Sequence, residues 1–150
     1  MKKSKTIIGF VGGKGVGKRT AASILASKGF FRASIMSKVE EIAKHLASPQ
    51  ELAKNKDEIL HQIRQRGCAV CKEYWVNLVL ITVPDSYDFI VFDDIWQEEA
   101  VSEKIKLYQI YRPYKSIQLI PNIETIDNNG TLKEFTAKIE DLHRKISKSK

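Results

Sequence analysis

The stretch TIIGFVGGKGVGKRTAASIL, Thr6 to Leu25, constrains this chain more than any other. A short β-branched apolar run, "KTIIGFV" from Lys5 to Val11, ends in glycines, which is the signature of a buried strand. After the glycines, from Lys18 to about Lys28, the apolar positions take a helical spacing. Ala21, Ile24 and Leu25 share one face, and Gly29 stops the run. A strand that feeds a helix through a tight loop leaves the next strand parallel to the first. The expectation is therefore an α/β fold with helices packed on a parallel sheet.

The loop itself has a chemistry. Glycines at 12, 13, 15 and 17 let successive backbone N–H groups turn inward, and the helix adds its positive end. Gly12, Gly17 and Lys18 fit the phosphate-loop pattern G-x-x-x-x-G-K-[ST]. Lys18 would reach the β- and γ-phosphates of a nucleoside triphosphate. The hydroxyl that normally follows the lysine and binds Mg²⁺ is replaced by Arg19, with Thr20 one step later. A guanidinium is not a metal ligand, so Mg²⁺ is expected on phosphates and waters, or from the side of Asp93 and Asp94.

The rest of the chain repeats the strand–helix alternation. "FFRASI" reads as a second strand. Ser37 with Glu40, and Ser48 with Glu51, read as capping boxes opening two helices, the second running to Gly67. A helix is expected over Lys72 to Leu80, a buried strand over Tyr87 to Asp94, a short helix over "QEEAVSEKI", and a strand over "KLYQIYRP". "SIQLIPNIETI" reads as extended, and Thr131 with Glu134 caps the last helix, which shows Leu132, Phe135, Ile139 and Leu142 on one face. The expected architecture has three layers, with about five parallel strands and helices on both faces. Ligands of such sheets sit at the strands' C-terminal ends, where the glycine loop and Asp93-Asp94 both fall.

Length and charge narrow the classes. A chain of 150 residues suits one domain. The net charge of +7 is carried by Lys2, Lys3, Lys5, Arg144, Lys145, Lys148 and Lys150, and between these tails 18 basic side chains balance 18 acidic ones. Basic tails over residues 1–5 and 144–150 on a neutral body argue against a specific nucleic-acid face. The basic-then-apolar start is too short and glycine-rich for a secretory signal, and no apolar stretch approaches the roughly 18–20 residues of a membrane span. A cytoplasmic location is expected. Cys68 and Cys71 form a lone C-x-x-C without a second pair, which reads as two cytosolic thiols rather than zinc ligands.

The segment GGKGVGKRT is similar to the G-x-x-G-x-G-K-x-T loop of adenylate kinase and its relatives, in which the threonine also comes one residue late. Beyond the loop, the chain resembles the deoxynucleoside monophosphate kinase family. "FFRASIMSKVEEIAKHLA" resembles its second strand and helix, "RQRGCAVCKEYWVNLVL" its Gly–basic–Trp segment, and "IVFDDIWQEEA" its strand ending in D-V-R-F-P-N-E-A. "YQIYRP" resembles its Arg-Pro strand, and "TIDNNGTLKEFTAKIEDL" its closing N-x-G-[TS]-L-x-E-L segment. Three features depart from the pattern: Trp96 replaces an arginine, Ser37 an acidic residue, and "YKSIQLIPNIE" shortens the lid region.

The resemblance implies a P-loop kinase fold in one domain, 1–150, with a helical acceptor-binding region inserted over about 36–82. It implies transfer of the γ-phosphate of ATP, with Mg²⁺, to a (deoxy)nucleoside monophosphate. Gly12, Gly13, Lys14, Gly15, Val16, Gly17, Lys18, Arg19 and Thr20 would hold the ATP phosphates, and Asn129, Gly130 and Thr131 would border the adenine. Lys18, Asp94 and Arg112 would be catalytic, and Asp94, with Asp93 second, would hold Mg²⁺ through water. Ser37, Arg64, Arg66, Lys72, Trp75 and Trp96 would bind the acceptor. The expected partner is a small-molecule nucleotide. The alternatives are a catalytically degenerate nucleotide-binding protein acting through a partner, and a related kinase for another acceptor such as dephospho-coenzyme A.

Overall fold

The computed structural model describes residues 4–96, 105–113 and 122–148. Five parallel strands form its one sheet: β1 (Thr6–Val11), β2 (Phe31–Ala33), β3 (Phe89–Phe92), β4 (Lys106–Tyr111) and β5 (Glu124–Asp127). Their order is β2-β3-β1-β4-β5, so the chain moves first to one side of β1 and then to the other. A crevice opens beyond β1 at such a reversal, and the glycine-rich loop leaves β1 there.

Period-two alternation along the central strands sorts side chains to the two faces. Ile8 and Phe10 of β1, Val91 of β3, and Tyr108 and Ile110 of β4 meet α1 (Lys18–Ser27) and α5 (Leu132–Lys148). Helix α5 supplies Phe135, Ile139, Leu142 and Ile146, a stripe at helical spacing, and α1 supplies Ala21, Ala22 and Leu25. On the opposite face Val11, Ile90 and Phe92 meet α2 (Ile35–Leu46), α3 (Pro49–Val70) and α4 (Tyr74–Thr82). The three-layer α/β architecture is the one the strand–helix alternation dictates. Among the described residues, no helix is long and apolar enough to cross a membrane.

Helix α4 is shifted by two residues from its expected span, and two further helix boundaries differ from the sequence expectation for a tertiary reason. Helix α2 begins at Ile35 with Ser34 as its cap, three residues before Ser37. Ser34 Oγ accepts from Ser37 N–H, while the Asp94 carboxylate at the end of β3 accepts from the Ile35 and Met36 N–H groups. An acceptor 58 residues away in sequence is invisible to local capping rules. Helix α3 opens with the expected Ser48–Glu51 capping box but runs through Gly67 to Val70. Gly67 is a contact point rather than a stop: a Cβ there would collide with the Trp75 indole of α4. The helix expected over "QEEAVSEKI", much of the extended stretch from Ser116, most of the shortened lid segment and the outermost tails lie outside the described residues.

The α3–α4 contact therefore admits no larger residue at 67. Gly67→Ala is expected to lower the unfolding free energy by about 1–3 kcal/mol through overpacking, read from urea denaturation.

Candidate functional site

The glycine-rich loop is built around two positions that exclude a side chain. At Gly12, φ is +148° and a Cβ would lie 2.7 Å from the Ile110 carbonyl oxygen. At Gly17, φ is +114° and a Cβ would lie 2.7 Å from Asn128 Nδ2. Between them Val16 is fully buried in the α1–α5 core and anchors the loop. Asn128 ties the loop to the far half of the sheet, donating from Nδ2 to the Val16 carbonyl (2.8 Å) and from its backbone N–H to Tyr111 (2.8 Å). Lys18 Nζ folds back onto the Gly12 carbonyl at 2.9 Å. Burial pushes the Lys18 ammonium below its usual 10.5, opposed by the nearby Asp94 and Asp93 carboxylates.

Two cavities flank this loop. The first, about 650 Å³, is lined by Lys14, Gly15, Gly17, Lys18, Arg19 and Thr20 on the loop side. Arg112, Asn128, Gly130, Leu132 and Phe135 form its other wall. Arg112 Nη1 stands 3.5 Å from the Gly15 carbonyl, and Leu132 is 68% exposed. The second cavity, about 720 Å³, is lined by Arg32, Ser34, Met36, Ser37, Arg64 and Trp96. Lys14, Lys18, Arg19, Asp93 and Asp94 line both, so the cavities meet at one junction.

The two carboxylates at the junction are held by the protein. Asp94 accepts from Ser34 Oγ (3.1 Å), Ile35 N–H (3.0 Å) and Met36 N–H (2.8 Å), which satisfies the first amides of α2. Asp93 takes two guanidinium contacts from Arg32, at 2.8 Å from Nε and 2.7 Å from Nη2, and Arg32 also donates to Ser23 Oγ on α1. Burial nevertheless raises the Asp93 carboxyl above its ordinary range, and the Arg32 hydrogen bond only opposes this.

Arg64, one of the residues expected at the acceptor site, lines the second cavity. Its side chain is 1% exposed, it donates to the Asp94 carbonyl oxygen, and its guanidinium lies 4.1 Å from the Trp96 ring centre. Its own carbonyl accepts from Trp75 Nε1 at 2.8 Å, so α4 fixes the turn of α3 that carries it. A guanidinium over an indole face is a favourable cation–π arrangement.

Several sequence expectations are thereby re-placed. Trp75 is 1% exposed and is a core residue that positions Arg64; it lines neither cavity. Arg66 and Lys72 are exposed and also line neither cavity. Gly12 and Val16 shape the loop from beneath, and Gly13, Asn129 and Thr131 stand outside the cavity walls. Thr131 Oγ1 accepts from Glu134 N–H at 3.1 Å, as the capping pattern predicts. The sequence reading missed Arg32, Ser34 and Asn128. A lone arginine inside the apolar run "FFRASI" was the available signal for Arg32. Nothing local distinguishes Asn128 from Asn129.

Among the described residues, no three His, Cys, Asp or Glu side chains gather as a metal site. An oxygen-preferring cation such as Mg²⁺ often takes few protein ligands and keeps phosphates and waters, which suits this donor set. Thr20 lines the first cavity and brings the hydroxyl that Arg19 lacks. No family model matches the chain, and no curated protein matches it significantly.

Asp94 joins two helices to the end of β3. Asp94→Ala is expected to cost about 1–3 kcal/mol, because the α2 amides lose their acceptor. Chemical denaturation measures the loss, and Asp94→Asn, which keeps one carbonyl oxygen, should recover part of it.

Proposed function

We propose that this chain moves the γ-phosphate of ATP to a nucleoside monophosphate, with a deoxynucleotide as the acceptor class. One arrangement carries this: two cavities, each large enough for a nucleotide, share the wall of Lys14, Lys18, Arg19, Asp93 and Asp94. ATP occupies the first cavity, with its phosphates along the loop amides and its base against Leu132 and Phe135. The acceptor occupies the second, with its phosphate toward Arg32, Arg64, Ser34 and Ser37.

In the transfer, the bond between the γ-phosphorus and the β,γ-bridging oxygen breaks and its electron pair leaves on ADP. A bond forms from a phosphate oxygen of the acceptor, and no proton needs to move when that phosphate is a dianion. The protein's part is positioning and charge stabilisation. Lys18 leaves the Gly12 carbonyl for the transferring phosphoryl oxygens, and Arg112 approaches them from β4. Mg²⁺, when bound with the triphosphate, offsets the charge that develops on the phosphate oxygens. Thr20, and Asp93 through water, would hold it. Asp94 serves the start of α2 instead, so its role is to orient Ser34, Met36 and Ser37 in the acceptor wall.

A second reading, a nucleotide-binding protein that acts through a partner without transfer, is favoured by one observation. Both junction carboxylates are already committed, Asp93 to Arg32 and Asp94 to α2. ADP formation from Mg-ATP separates the two, run with each common dNMP and NMP, with dephospho-coenzyme A, and without acceptor. Turnover with one or two monophosphates, reduced at least about 100-fold in Lys18→Ala, is the expected result. ATP binding without ADP formation would establish the second reading.

The lowered ammonium of Lys18 gives a pH signature. Above the Lys18 pKa, binding an anion must take up a proton, so ATP affinity is expected to fall with rising pH from a point below 10.5. Lys18→Arg, which stays charged, should flatten that fall in calorimetric titrations.

A further inference from the structure

The cations around the junction are not equivalent. Lys18 is hydrogen-bonded to Gly12, Arg32 to Asp93 and Ser23, Arg64 to Asp94, and Arg112 approaches Gly15. Among the described residues, Lys14 and Arg19 make no hydrogen bond or ion pair and are exposed where both cavities meet, but of the two only Arg19 carries a planar guanidinium and sits in α1. Its place in the helix is also unfavourable. Gly17 caps α1, so Lys18 and Arg19 are its first two residues, and the first turn holds no acidic side chain. Two adjacent cations at the positive end of a helix repel both its dipole and each other. Arg19 accordingly contributes to lowering the Lys18 pKa. A local conflict of this kind marks a position kept for a ligand rather than for folding.

We infer that Arg19 is a bridging catalytic residue, whose guanidinium spans the γ-phosphate in the first cavity and the acceptor phosphate in the second. This rests on the kinase reading above and adds the group that holds the two anions together. Two phosphates brought within bonding distance repel, and the charge between them rises along the transfer. A planar guanidinium presents several donors in a fixed fork and can hydrogen-bond to both at once, which a lysine ammonium does less well. Asp93 feels this charge without pairing with it, since Arg32 holds Asp93 and the α2 amides hold Asp94. Arg19 therefore takes the position where Walker-type loops carry a metal-binding hydroxyl and fills it with a positive charge of its own.

The test compares wild type, Arg19→Gln and Arg19→Lys by steady-state kinetics and by calorimetry with two probes. One probe is Mg-ATP; the other is a bisubstrate dinucleoside polyphosphate that fills both cavities. Arg19→Gln is expected to lower kcat about 100-fold with the KM for ATP changed less than about threefold. It should also lose most of the affinity by which the bisubstrate probe exceeds ATP. Arg19→Lys is expected to recover part of kcat, and the Tm of unliganded Arg19→Gln should be unchanged or higher, because a repelled cation has gone. Unchanged kcat, an equal loss of affinity for both probes, or a fall in the unliganded Tm would each overturn the bridging role. Wild type that forms no ADP with any acceptor would overturn the kinase reading itself, a result distinct from any of these.

Discussion

The Asp94 carboxylate at the end of β3 is the interaction on which the site side of this fold depends. The start of α2 leaves backbone N–H groups with no partner inside the helix, and burying them unsatisfied is costly. Asp94 accepts from two of them and from Ser34, while its own carbonyl accepts from Arg64 of α3. One residue thus joins the sheet to the two helices that wall the second cavity. Trp75 extends the tie to α4 through the Arg64 carbonyl, and Gly67 leaves the room for it.

On the other side of the loop the joining element is Asn128. Its side-chain amide holds the Val16 carbonyl, and its backbone N–H continues the line of β4. The loop is therefore held from both directions: by Val16 in the core below, and by Asn128 at the rim. Three of its cations, Lys14, Lys18 and Arg19, line both cavities from this fixed frame.

Charge in the body of the protein is organised by commitment rather than by total. The acids of the junction have partners in the protein, and so do Lys18, Arg32 and Arg64. What is left faces the space where the two cavities meet. The overall surplus of +7 has no part in this, because it sits at the start of the chain, on the last turns of α5 and at the final residue. A basic composition here describes the ends of the chain, while the local chemistry of the site follows from which side chains are already paired.

Much of the fold was legible in the sequence because its determinants are local and periodic. The β-branched run before the glycines, the Ser48–Glu51 box and the stripe of Phe135, Ile139 and Leu142 each declare their element within a few residues. The glycines of the loop are legible for the same reason, since positive φ is a local demand. The wall of the second cavity was not legible in this way. Arg64, Arg66 and Lys72 are alike on paper, and only the packing of Trp75 against Gly67 turns Arg64 inward and leaves the other two in solvent. Asp94 is brought by the sheet to the first amides of α2, a contact that no local pattern announces. By itself the sequence determined the order of strands and helices and the glycine-rich turn, which depend on backbone freedom and hydrophobic period. Tertiary structure alone decided which charged groups are consumed by the fold and which remain for a ligand, because that depends on contacts between residues 30 to 60 positions apart.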